Sequence, residues 1–453
     1  MPKFDYVIIG GGQGGALARQ LAEAGKRVAL IEKKYVGGSC TNVGCTPTKA
    51  HIAAAKVAHV VRTSQELGVR SKIEIIDLPF IVERTRRIVE EFRQENEEQL
   101  MNTDGLDLVY GTARFASEGG IEVELRTGEI QRFTADKYII AVGTTAQIPE
   151  VQGLKDISFL THVEALQLEE IPPHLLILGG GYIACEFAQM FARFGSQVTI
   201  IQNKPQLLPH EDDDVAEGIA DVLRRSGVEV IVGQEVDAVR GSHRGIEAVW
   251  STEKRVFSHV LIATGQKPQT QNLSLEHADI QLNDSGHILT DEYLKTSHPH
   301  IYAMGDCRVG PAFTHIAYDD ARILRDGLLQ GKWRSIKERL VPYTVFTDPQ
   351  LGRIGMSEEE AKKSGKEFEV VCLNMKDTAR GVETEQTQGF WKVLVERGTG
   401  LILGGAFLSG EGGETMAVVE IAMQAKMPFT SLRDGIFAHP TWAEALNNLF
   451  LHG

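Results

Sequence analysis

Apolar runs and stretches of helical period alternate along the chain, and the first of them sets the pattern. Tyr6-Val7-Ile8-Ile9 is a short unbroken apolar run, which predicts a strand covered on both faces. Glycines follow, then apolar positions at helical spacing over residues 16–24, then a second run over 27–31 that ends on Glu32. The same order returns later, with a strand over 175–178, a glycine turn, a helix reaching Phe194 and a strand over 197–201. Strand, helix and strand in this order predict an α/β fold with parallel sheets. Similar runs at 138–144 and 260–265 contain Gly143 and Gly265 and lead into loops with Pro149 and Pro268, which mark domain boundaries. Ile301-Tyr302-Ala303-Met304-Gly305-Asp306 reads as another buried strand, whose terminal acid either meets a polyol hydroxyl or caps the next turn.

Length and composition narrow the class. The 453 residues call for about three domains, and 42% hydrophobic with 24% charged residues is a globular balance. No apolar run is long and uncharged enough to span a bilayer, and the first strand begins too near Met1 for a signal peptide, so a cytoplasmic protein with no membrane partner is expected. A net charge of -14 without a basic, aromatic-rich stretch argues against nucleic acid. Of the five cysteines, Cys185, Cys307 and Cys372 stand alone and read as small buried hydrophobes.

The two glycine turns carry the first chemistry. In Gly10-Gly11-Gly12-Gln13-Gly14-Gly15, Gly10 permits the tight turn, Gly12 admits a pyrophosphate to the backbone, and Gly15 allows close helix–strand packing. Glu32 lies where an acid accepts hydrogen bonds from a ribose. In Gly179-Gly180-Gly181-Tyr182-Ile183-Ala184, Ala184 replaces the third glycine, and Gln202-Asn203-Lys204 stands where the acid would be. A carboxylate there would repel a 2′-phosphate, whereas Lys204 either attracts one or is a solvated loop lysine, so NADPH is expected with NADH possible. The fold expected is thus two Rossmann-like dinucleotide-binding domains and a further C-terminal part.

Gly37-Gly38-Ser39-Cys40-Thr41-Asn42-Val43-Gly44-Cys45-Thr46-Pro47-Thr48-Lys49 carries the second. Cys40 and Cys45 read as a dithiol, because no second Cys/His pair exists to complete a zinc site. A helix starting just after Cys40 would favour the thiolate form. A metal site built from His298, His300 and His315 is conceivable, but the two histidines flanking Pro299 read as loop residues, so no metal is expected.

The whole string resembles the GG-x-C-x-N-x-G-C-x-P-x-K signature of the pyridine nucleotide–disulfide oxidoreductases, the family of dihydrolipoyl dehydrogenase, glutathione reductase and mercuric reductase. The resemblance covers the chain and implies four segments: 1–147 for FAD, 148–268 for NAD(P), 269–335 returning to the FAD domain, and 336–453 as an α+β dimerisation (interface) domain. Residues 341–355 look like that domain's opening strands, and Ser357-Glu358-Glu359-Glu360 reads as a capping box. Ala438-His439-Pro440-Thr441-Trp442-Ala443-Glu444 resembles the family's His-Pro-Thr-x-x-Glu. By the resemblance, Cys45 is the thiol near the flavin and Cys40 the interchange thiol. His439 is then the acid/base lent by the other subunit of a homodimer, and Glu444 orients it. Asp306 sits on the FAD ribitol, Lys49 and Glu186 pair near the flavin, and Tyr182 matches the tyrosine gate that glutathione and mercuric reductases can carry.

The acceptor implied is a small-molecule disulfide or a metal ion. Phe313-Thr314-His315-Ile316-Ala317-Tyr318-Asp319-Asp320-Ala321-Arg322 and the stretch around His439 resemble the flavoprotein reductases of bacterial reactive-chlorine resistance that can reduce copper(II). Mercuric reductase differs by its C-terminal cysteine pair, which is missing from Asn447-Asn448-Leu449-Phe450-Leu451-His452-Gly453. Dihydrolipoyl dehydrogenase and glutathione reductase remain alternatives, as does, in another class, a non-catalytic FAD-binding redox sensor.

Overall fold

Strand Lys3–Ile9 has a parallel neighbour on each side, which is why its apolar run does not alternate. The neighbours are Val28–Glu32 and Ile130–Ile140, with Leu106–Phe115 and Ile301–Ala303 paired outside them. The structure, a computed structural model, describes residues 3–451. The two longest strands run on past the parallel sheet, where Ile121–Leu125 bridges them in antiparallel pairing. Helices Gln13–Glu23 and Thr314–Gln330 cover one face, burying Leu17, Leu21, Ala321 and Leu324 with Ile8 and Leu30. Phe115, Ile121 and Phe133 fill the opposite face.

The chain divides into two compact units. The first takes the chain up to Ala50, Val82–Gln147 and Gly265–Arg339, and the second takes His51–Ile81, Ile148–Thr264 and everything from Leu340 on. Residues 51–81, which lie within the expected segment 1–147, group with the second unit. Helix Cys45–Thr63 enters the second unit at His51, where Arg62 donates to the Arg193 carbonyl and Lys56 lies 3.6 Å from Asp348.

The second unit holds a parallel sheet in the order His259–Ile262, His174–Leu178, Gln197–Gln202, Val228–Val232. An antiparallel sheet of Tyr343–Val345, Gln350–Gly355, Ile402–Ser409, Phe390–Glu396 and Phe368–Asn374 belongs to the same unit. Helix Asp213–Arg225 joins the two, because Gly218 leaves room where a Cβ would stand 2.9 Å from Leu408 and 3.1 Å from Phe390. Ion pairs reinforce the junction: Arg353 meets Glu211 at 2.9 Å, both nearly fully buried. Such pairs do more to fix the arrangement than to stabilise it, since desolvation offsets most of the attraction. The Ser357–Glu360 capping box forms with both bonds made.

Of the three lone cysteines expected to be buried, two are. Cys185 and Cys307 are buried, but Cys372 is exposed, because it occupies an outward position on the edge strand Phe368–Asn374. Among the described residues, no helix is long and apolar enough to cross a membrane.

Candidate active site

The two glycine turns share their backbone geometry. Gly10 has φ +111° and a Cβ there would meet the Ala141 carbonyl oxygen at 2.3 Å; Gly179 has φ +109° and would meet the Ala263 oxygen at 2.3 Å. Neither position admits a side chain. Helices Gln13–Glu23 and Tyr182–Phe194 start from Gly12 and Gly181 with no side-chain cap. A glycine start without a side-chain cap is the arrangement of phosphate-binding turns. This fits a dinucleotide at each turn.

The packing role expected of Gly15 belongs instead to Gly14. A Cβ on Gly14 would lie 3.0 Å from Ile8 and 3.1 Å from Ala141, whereas one on Gly15 would find ordinary contacts at 3.6 Å. A tolerated Cβ at the latter position explains why Ala184 serves in the repeat. Glu32 accepts from Gly11 N–H at 2.7 Å and Lys34 N–H at 2.6 Å. A carboxylate offers about four acceptor sites, so two backbone bonds leave room for a ribose. Gln202 occupies the equivalent place beside Gly180 but is buried, its amide donating to the Gln206 carbonyl at 3.4 Å, while Lys204 is exposed.

The dithiol segment lies against the first turn: a Cβ on Gly38 would come 2.8 Å from the Gly12 Cα. Cys40 falls inside a short helix, Gly38–Asn42, and the long helix begins at Cys45. The helix start expected just after Cys40 is therefore misplaced, and the positive helix end favours negative charge on Cys45. Asn42 fixes the short helix by donating to the carbonyls of Val36 (2.8 Å) and Gly38 (2.9 Å), and Arg93 donates to its amide oxygen at 2.8 Å.

Cys40 and Cys45 stand as thiols joined by a side-chain hydrogen bond. That bond, with burial second, holds the Cys40 proton well above the ordinary thiol range. Cys45 Sγ lies 3.6 Å from the Thr314 hydroxyl, and that hydroxyl also pulls the Cys40 pKa down, against the larger upward effects of Cys45 and burial. Asp306 is close by, its carboxyl pushed up to about 6 by burial, then by the charges of Cys45 and Asp320. Gly143 takes a positive φ of +65° with no neighbour within 4 Å of a Cβ, and the Gly265 carbonyl accepts from Gln147 at 3.0 Å. Lys49 lies on the helix that starts at Cys45.

Asp320 was not singled out by the sequence, yet it holds this site in register. Its buried carboxylate accepts from Arg308 Nε (2.8 Å) and Nη2 (2.9 Å), Arg339 (2.7 Å) and the Gly305 amide (2.9 Å). The turn bearing Asp306 is thereby fixed to the helix bearing Thr314. Asp320→Ala should lower unfolding free energy by about 3–5 kcal/mol, because two arginines lose the partner of a buried charge. Urea denaturation would measure this, and an unchanged midpoint would contradict it.

In the second unit, Tyr182 opens helix Tyr182–Phe194 and is partly exposed, while Glu186 on the same helix is buried and accepts from Phe346 N–H at 2.9 Å. Glu444 grips His439 Nδ1 with both carboxylate oxygens at 2.9 Å. The imidazole is 66% exposed, so its Nε2 edge is presented outward. Among the described residues, Asp212, Asp214 and Glu358 form the one acidic group tight enough for a metal, and the Lys392 ammonium already sits in it, 2.8 Å from Asp214 and 3.2 Å from Asp212.

Known proteins resemble this chain over nearly its whole length. RclA of Escherichia coli, described as a probable pyridine nucleotide-disulfide oxidoreductase, is 36% identical over 99% of both chains. The mercuric reductase of Streptomyces lividans is 32% identical over 98% of this chain and 94% of its own. A solved Cu(II) complex of E. coli RclA, an HOCl-induced flavoprotein disulfide reductase, matches with a TM-score of 0.91 at 37% identity, covering 99% of each chain. The pyridine nucleotide-disulphide oxidoreductase profile matches residues 4–321, and the profile of that family's dimerisation domain matches 341–450. The chain therefore belongs to the pyridine nucleotide-disulphide oxidoreductases, enzymes built around a flavin, a pyridine nucleotide and a redox-active disulfide.

Proposed function

We propose that this enzyme passes electrons from NADPH, by way of FAD held at the Gly10 turn, to the Cys40–Cys45 pair and on to a small-molecule disulfide or a metal ion. The observation that carries the proposal is the cysteine pair itself, two hydrogen-bonded thiols on the unit that bears the uncapped glycine turn and Asp306. When bound, FAD would supply two-electron chemistry linking nicotinamide to disulfide.

Gly10 and Gly12 would admit its pyrophosphate, Glu32 its adenosine ribose and Asp306 its ribitol hydroxyls. Gly179 and Gly181 would serve the nicotinamide nucleotide, with Tyr182 at the gate. Reduced Cys40 would attack the acceptor as a thiolate. His439, oriented by Glu444, would take and return its proton from the partner subunit of a homodimer. Exposed Ile421, Met427 and Ile436 in the segment matching the dimerisation domain support that assembly. Among acceptors, Cu(II) and a disulfide have the support of the likeness to RclA, a flavoprotein disulfide reductase solved as a Cu(II) complex. The protein should be yellow and bleached by NADPH under anaerobic conditions; a colourless protein, or one that NADPH leaves yellow, would sink the reading and favour a non-catalytic role.

Coenzyme choice gives a separate test. An exposed lysine facing a 2′-phosphate is worth about 1 kcal/mol, a preference for NADPH of about five-fold in kcat/KM. Lys204→Ala should erase it, and equal values in the unaltered enzyme would dismiss Lys204.

A further inference from the structure

We propose that the Thr314 hydroxyl is a positioning group of the redox pair, giving its single proton to whichever cysteine sulfur carries negative charge. The inference rests on the dithiol reading above. Cys45 Sγ lies 3.6 Å from this hydroxyl, which is 269 residues away in sequence, and the same hydroxyl acts on Cys40 by drawing its pKa down. A hydroxyl has one donor proton and two acceptor lone pairs, so it can accept from a thiol and donate to a thiolate, but it can donate to one sulfur at a time.

Helix formation does not explain the hydroxyl. Thr314 is the first residue of helix Thr314–Gln330, Phe313 holds the N-cap position, and no side chain makes a capping bond there. The side chain is also well placed to discriminate. It is β-branched and therefore stiff, and its helix is locked to the Gly305–Cys307 turn through Asp320. While Cys40 keeps its proton toward Cys45, the Thr314 proton is available to Cys45; once Cys40 is the charged sulfur, the same hydroxyl can turn to it. Two adjacent sulfurs lose protons as a coupled pair, and a donor shared between them lowers the first loss.

The test follows alkylation of the pair. Holoenzyme is reduced with a phosphine, treated with iodoacetamide across a range of pH, and mapped by peptide mass spectrometry at Cys40 and Cys45. Thr314→Val keeps the shape and removes the hydroxyl. Its alkylation midpoint should rise by about one pH unit, the effect of losing one hydrogen bond to a charged sulfur. Thr314→Ser should restore the unaltered profile, which a purely structural role would not predict. Superimposable profiles for Thr314→Val and the unaltered enzyme would overturn the inference; should the valine variant fail to fold, Thr314→Ala is read in the same way. The phosphine opens the disulfide without coenzyme, so the profile judges Thr314 even if NADPH proves unable to reduce the pair. That second failure would count against the proposed function alone.

Discussion

Cys45→Ser is expected to lower turnover with every acceptor by on the order of 10³-fold or more, the scale of removing a residue that takes part directly in the chemistry. It should also abolish the long-wavelength absorbance that a thiolate beside an oxidised flavin gives, while NADPH still bleaches the yellow colour. The assignment of Cys45 to this role has two physical supports. The long helix begins at Cys45, so its positive end favours charge there. The hydrogen bond between the sulfurs keeps the proton on Cys40. Cys40→Ser should behave differently, keeping the absorbance and losing turnover, since the charged sulfur remains and the attacking one is gone. Anaerobic titration with NADPH, followed across the visible spectrum, distinguishes the two variants. Absorbance retained in Cys45→Ser and lost in Cys40→Ser would exchange the roles of the two cysteines.

Local signals carried much of this into the sequence. Positive φ is a property of single residues, so Gly10 and Gly179 announced their turns, and the Ser357–Glu360 box closed as its spacing required. The cysteine pair and the His439–Glu444 spacing were legible for the same reason, each lying within a few residues. What escaped depends on distant partners. Whether Gly14 or Gly15 is the crowded position depends on Ile8 and Ala141, contacts made across the sheet. The helix start at Cys45 rather than after Cys40 depends on the short helix Gly38–Asn42, which Asn42 and Arg93 hold. Asp320 and Thr314 looked like ordinary helix residues, and only the fold shows that one gathers Arg308 and Arg339 and the other reaches the sulfurs. Cys372 failed as a buried position because edge strands expose alternate residues, and strand order is not written in the strand.

Activity should return when two inactive proteins are mixed, if His439 acts on Cys40 of a partner subunit. Cys40→Ser and His439→Gln homodimers should each fail to turn over a disulfide. The first lacks the attacking sulfur, and the second lacks the imidazole that Glu444 orients at 2.9 Å. In a heterodimer with borrowed bases, one site carries both lesions and the other carries none. Equal mixing with free exchange makes half of the dimers heterodimers, each with one intact site of two, so the mixture should regain about a quarter of the unaltered specific activity. A base supplied within its own chain predicts the opposite, because each heterodimer site would then bear one lesion and the mixture would stay inactive. Differently tagged chains, co-purified after mixing, establish that exchange has occurred. Inactivity with proven exchange would remove the shared site and with it the functional reason for a dimer. Glu444→Gln sharpens the result: it keeps the imidazole but weakens the charge that orients it. A mixture of that variant with Cys40→Ser should recover as the His439→Gln mixture does, since in both cases the intact site pairs an unaltered Cys40 with an unaltered His439–Glu444 pair.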